Sequence, residues 1–194
     1  KMEFFSKTKV LLAPALNYKN NTSEKRKYLK NTISLVLTGI KDIDIELLSW
    51  SVKFINENKK IKILIKFHPI LPYKKIKNLI RGLNNKNITI YRKNVNSLLT
   101  KSLIIISTGP TSALYEAILK GCFVVVPVFD PWDKLNVVNC KIPRKNVTFA
   151  NNFNDFCSSL NNLVKNKKKY NSNINFKKEM FFENINKETE KIFK

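Results

Sequence analysis

Apolar and polar positions along this chain fall into blocks that read as strands and helices in turn. The clearest run is Leu103 to Pro127, LIIISTGPTSALYEAILKGCFVVVP. It predicts a buried strand (Leu103 to Ile106), a turn crowded with small hydroxyl residues, a helix with Glu116 in its second turn, and a second buried strand, Phe123 to Val126. Upstream, Val10 to Ala13 reads as a short strand, Ile45 to Asn56 as a helix with Asp44 placed to cap it, and Ile61 to Phe67 as a strand. After His68 and Pro69 the spacing predicts a basic helix over Tyr73 to Leu83, closed by Gly82 and an Asn-rich turn. A strand at Ile88 to Tyr91 and a short helix at Asn96 to Lys101 follow, and the tail predicts helices at Phe153 to Lys165 and Lys177 to Phe193. This repeated order implies an α/β fold, a Rossmann-like parallel sheet flanked by helices, as a single domain over residues 1–194. Within it, residues 151–194 would pack back across the sheet or onto a separate partner domain.

In an open sheet of this kind ligands bind outside the carboxyl ends of the strands. Two sets of residues fall at such ends: His68, closing KILIKFHP, and the turn Ser107, Thr108, Gly109, Pro110, Thr111, Ser112. A strand that runs through hydroxyl residues into a helix N-terminus aims backbone N–H groups, O–H groups and the positive end of the helix dipole at one point, which suits a phosphate. The plainer alternative is an ordinary capped turn, with His68 a simple strand terminator. Neither G-x-G-x-x-G nor G-x-x-x-x-G-K-[ST] occurs, so NAD or ATP held by those motifs is not expected.

With 43% hydrophobic and 11% aromatic residues the chain has material for a real core. No apolar run approaches the ~20 residues of a membrane span, and the opening KMEFFSKTK lacks the apolar middle of a signal peptide. A soluble, cytoplasmic protein is expected, and Lys rather than Met at position 1 suggests a piece of a longer one. Cys122, Cys140 and Cys157 are odd in number and far apart, which fits a reducing compartment, with Cys122 in the core. One histidine and three scattered cysteines make no usual metal site, and Asp42-Ile43-Asp44 is read as part of a helix start rather than a metal-binding DxD. The net charge of +22 permits binding to nucleic acid or to an anionic membrane face, through runs such as SEKRKYLK and VKNKKKY. Lysines are spread along the chain, however, without an aromatic stacking platform, so nucleic acid is not the expected partner.

The KFHP strand end, the STGPTS turn, YEAILKG and VVVP, in that order, resemble the C-terminal, donor-binding half of glycosyltransferases built from two Rossmann-like domains, the GT-B architecture. More narrowly, the His-Pro pair and the hydroxyl turn are similar to motifs of bacterial sialyltransferases, related capsule transferases that use CMP-sugars, and CDP-glycerol glycerophosphotransferases. The likeness in element order runs from about Val10 onward, while the specific motifs cover Lys66 to Pro69 and Ser107 to Pro127.

The resemblance implies a metal-independent transferase of bacterial surface polysaccharide, with a CMP- or CDP-linked donor as substrate, no separate cofactor, and a glycan or lipid-linked acceptor. It makes His68 a ligand of the leaving phosphate, sets Ser107, Thr108, Gly109, Thr111 and Ser112 on phosphate oxygens, and offers Glu116 to the ribose hydroxyls. Glu116 reads equally as a surface helix residue. The family's catalytic base generally lies in an N-terminal Rossmann-like domain, which these residues do not supply. The loop Phe129 to Asn136, FDPWDKLN, has no family counterpart, and its Trp132 and Asp133 either line the cleft or cover the sheet. Alternatives are a CDP-glycerol transferase, a UDP-sugar transferase or epimerase, and, from another class, a basic nucleic-acid-binding module.

Overall fold

The apolar runs pair side by side as parallel strands, and the helices that follow them pack on the two faces of the sheet. The computed structural model describes residues 28–80, 82–108, 111–130 and 146–166. The strand expected at Val10 to Ala13, the helix at Lys177 to Phe193, Trp132 and Asp133, Cys140, and Gly109 with Pro110 lie outside them. In chain order the elements are β1 (Thr32–Val36), α1 (Lys41–Glu57), β2 (Lys62–Lys66), α2 (Tyr73–Ile76), β3 (Ile88–Ile90), α3 (Val95–Lys101), β4 (Ile104–Ile106), α4 (Ser112–Leu119), β5 (Phe123–Pro127), β6 (Val147–Ala150) and α5 (Phe153–Lys165).

All neighbouring strands are parallel, in the order β3-β2-β1-β4-β5-β6. The period-two alternation of each strand divides the core. Ile33, Leu35, Ile63, Ile65, Ile104 and Ile106 join α1 and α5 in one cluster, while Val36, Ile105, Val124 and Val126 join α3 and α4 in the other. A sheet covered on both faces explains why β4 and β5 read as unbroken apolar runs.

Helix α5 is fastened to α1 by aromatic edges. Trp50 meets Phe153 and Phe156 at 6.0 and 5.6 Å between ring centroids, and Phe54 meets Phe156 at 6.1 Å. The expected helix from Phe153 thus packs back over the sheet. Phe129, at the start of the loop after β5, closes on the same Trp50 at 5.0 Å. Cys122 is buried as expected, its thiol 3.3 Å from the Ser102 carbonyl.

Four elements depart from the sequence reading. β1, one of the two central strands, was not expected, because Thr32 and Ser34 interrupt its apolar run. Ser34 is nevertheless fully buried: Ser102 donates its hydroxyl to the Leu98 carbonyl at 2.7 Å and accepts from Ser34. β6 was also missed, being a short edge strand with Val147 and Phe149 only half-buried. α1 begins at Lys41, four residues earlier than expected. The basic helix stops at Ile76 rather than Leu83 and continues as turns. Lys74 and Lys77 stand at helical neighbour spacing there, and like charges so placed weaken a helix. Asn78, a poor helix former, follows them.

Candidate functional site

The strand order turns back between β1 and β4, so the loops leaving these two strands diverge to opposite faces and open a crevice at their carboxyl ends. β2, beside β1, ends next to it. Adjacent strands lie about 4.8 Å apart, so the ends of β2 and β4 are separated by roughly 10 Å, with the β1 loop between them. That geometry brings His68, the turn Thr38-Gly39-Ile40 and the start of α4 to one edge of the sheet.

The β1–α1 turn is built around a buried carboxylate. Asp44 is 0% exposed. Its Oδ1 accepts from the Thr38 N–H at 2.7 Å and the Thr38 hydroxyl at 2.9 Å, and its Oδ2 accepts from the Gly39 N–H at 2.9 Å. Asp44 therefore does not cap the helix N-terminus as expected. It sits inside α1 and reaches back to hold the residues before it. The Thr38 oxygen accepts from the Ile40 N–H at 3.1 Å, completing the turn. Burial raises the Asp44 carboxyl above its ordinary value, against the lowering pull of the Thr38 and Gly39 N–H groups, the Thr38 hydroxyl and His68. Engaged in this way, Asp44 is not presented to a cation. Among the described residues, no group of three or more His, Cys, Asp or Glu side chains could hold a metal ion.

His68 is half-buried and packs directly on this turn. Gly39 takes φ +90°, and a Cβ added there would stand 2.6 Å from His68 Nδ1. Only glycine allows both the backbone angle and the contact. Nδ1 also accepts from the Ile70 N–H at 3.3 Å. An accepting Nδ1 leaves the proton of a neutral ring on Nε2, which has no hydrogen-bond partner among the described residues. Two exposed apolar side chains, Ile40 and Ile70, follow the Gly39 turn and the His-Pro pair.

The hydroxyl turn divides into two parts. Ser107 donates to the Val36 carbonyl at 3.0 Å and Thr108 to the Pro127 carbonyl at 2.6 Å, both fully buried. Their hydroxyls thus tie the end of β4 to the ends of β1 and β5 and do not face the crevice. Thr111 caps α4, accepting from the Ala113 N–H at 3.3 Å, and Ser112 is exposed at the first position of that helix. Glu116, also on α4, is half-buried. Burial raises its carboxyl above the usual value, opposed by Lys120 one turn on. Thr38, Gly39 and Asp44 are the site residues that the sequence reading missed as a unit. The signal was present in TGIKDID, a glycine after a strand with a carboxylate five residues on.

Among the described residues, no helix is long and apolar enough to cross a membrane.

A six-stranded parallel sheet in this order, with its crevice at the β1/β4 reversal, defines a Rossmann-like α/β unit. No family model and no curated protein matches the sequence. Solved structures do match in fold. The chain is similar to TarM, with TM-score 0.60 and 16% identity over 88% of this chain and 35% of that one. It is similar to the catalytic domain of cholesterol-α-glucosyltransferase from Helicobacter pylori, with TM-score 0.52 and 19% identity over 72% of this chain and 90% of that one. It is similar also to a UDP-GlcNAc 2-epimerase from Neisseria meningitidis bound to UDP-GlcNAc, with TM-score 0.55 and 16% identity over 78% and 41%. The chain spans about a third of the length of TarM.

Proposed function

We propose that this chain is the donor-binding unit of a glycosyltransferase and holds a pyrimidine-nucleotide sugar in the crevice beside His68. The observation that supports the reading is topological: His68, its Nε2 without a partner among the described residues, follows β2, and α4 follows β4, the two strands that flank β1 at the strand-order reversal. When the bond from sugar to phosphate breaks, negative charge builds on the leaving oxygen. His68 Nε2–H donates a hydrogen bond to it, and the α4 dipole favours the same charge. Thr111 and Ser112 contribute the start of α4, Glu116 accepts from ribose hydroxyls, and Ser107 and Thr108 shape the turn through the sheet rather than through their hydroxyls. The activating base for a glycan or lipid-linked acceptor comes from a second Rossmann-like domain in this reading. The enzyme would work on surface polysaccharide at the cytoplasmic face of a membrane, without a metal.

The motifs favour a CMP- or CDP-linked donor. A UDP-linked donor is the second reading, supported by similar structures that contain UDP-GlcNAc or, for a TarM from S. aureus, UDP. A thermal-shift panel of CMP, CDP, UMP, UDP and GDP tests both, since a ligand bound only by the native state raises its stability. A larger shift with the cytidine or the uridine nucleotides selects the donor base. Equal shifts for all five, or none, would remove the donor pocket.

A further inference from the structure

Taking His68 as the phosphate ligand proposed above, we propose that Asp44 is a positioning residue that sets this imidazole by clamping the Thr38–Gly39 turn beneath it. The contacts form one continuous path. Both Asp44 oxygens accept from the turn, three bonds between 2.7 and 2.9 Å. The turn presents the bare Cα of Gly39 to the ring at a separation that excludes even a methyl group. The same Nδ1 accepts from the Ile70 N–H, so Nδ1 is occupied and Nε2 is the nitrogen left for a ligand. A buried carboxylate costs stability unless its hydrogen bonds are made, so the turn is closed whenever Asp44 is ionised and in place. If the carboxylate becomes an amide, one acceptor turns into a donor facing a backbone N–H. The turn then loosens, and with it the wall that keeps the ring from rotating.

The chain has a single histidine, so proton–nitrogen correlation of the imidazole reports on His68 alone. With the ring neutral, the wild-type chain should show one protonated nitrogen and one acceptor. In Asp44→Asn, and in the milder Thr38→Val, the two nitrogen shifts should converge as both tautomers are sampled, while thermal unfolding shows that the fold persists. The affinity for UDP or CMP, whichever binds, supplies the second readout. Asp44→Asn should weaken it by at least about fivefold, but by less than about twofold in a His68→Ala background, because a residue acting through the ring has no effect once the ring is gone. An unchanged imidazole spectrum in both folded variants, or an equal loss of affinity with and without His68, would overturn the clamp. If the wild-type chain binds neither nucleotide, the donor reading fails, and the spectrum alone still decides whether Asp44 sets the ring.

Discussion

Ser107 donates its hydroxyl to the Val36 carbonyl at 3.0 Å, across the junction where the strand order turns back. The bond joins the two strand ends that frame the crevice, and it makes Ser107 part of the frame rather than of the lining. Ser107→Ala leaves a buried carbonyl without its partner and should destabilise the fold by about 1–3 kcal/mol, with nucleotide affinity within about twofold of wild type. Urea unfolding and calorimetric titration measure the two quantities. Wild-type stability with a tenfold loss of affinity would return this hydroxyl to the ligand.

His68→Ala should do the reverse. The side chain is half-buried at a strand end and contributes little packing, so stability should stay within about 1 kcal/mol of wild type. Nucleotide affinity should fall at least about tenfold, roughly 1.4 kcal/mol. Titration of the variant with unaltered affinity would exclude His68 from the site.

Burial holds the Glu116 carboxyl above 4.5 in the folded chain. Between that ordinary value and the raised one, the folded state keeps a proton that the unfolded chain has released, so stability falls as pH climbs through this window. Glu116→Gln removes the effect. Its unfolding temperature should exceed that of wild type at neutral pH, and the gap should close once the pH drops below 4.5. The same variant should bind nucleotide more weakly, as expected where a group is kept for a ligand at some cost in stability. Calorimetric scans across acid and neutral pH would contradict this account if the gap were the same throughout.

Gly39→Ala places a methyl group against His68 at a backbone angle that side chains rarely adopt. It should destabilise the fold by about 1–3 kcal/mol and displace the ring, so that both the unfolding midpoint and the nucleotide affinity fall together. Loss of stability alone, with affinity retained, would show that the ring tolerates a shift of its floor.

With a net charge of +22 the chain should also attract nucleic acid at low salt. That binding should weaken steeply as salt rises, whereas nucleotide binding in the crevice should depend on the base and change little. Fluorescence titrations at low and physiological ionic strength separate the two. Duplex or single-strand binding that survives physiological salt and competes with nucleotide would favour the nucleic-acid reading.

Much of the fold was legible where one physical signal dominated. β4, α4 and β5 follow from apolar runs broken by hydroxyl residues and Gly121, and α3 begins one residue before its expected start, at an Asn94 that caps it. β1 was hidden because Ser34 is polar in sequence and satisfied through Ser102, a partner 68 residues away. The same limit applied to the site. His68 and the α4 start were visible as strand-end motifs, but which hydroxyls face outward depends on the carbonyls of Val36 and Pro127, supplied by other strands. Asp44 was visible as a helix-start residue, yet its direction, back toward Gly39, is a matter of three-dimensional closure.

The pairing of β1 with β4 joins segments 71 residues apart at the Ser107–Val36 bond. Contacts of such separation carry a large loop-closure cost and are slow to form, which predicts that the crevice assembles late as the chain folds. A ligand of the finished crevice then has nothing to hold until the sheet is complete. It would leave the refolding rate unchanged and act by slowing unfolding, so that a bound ligand would lengthen residence in the folded state rather than speed the chain toward it.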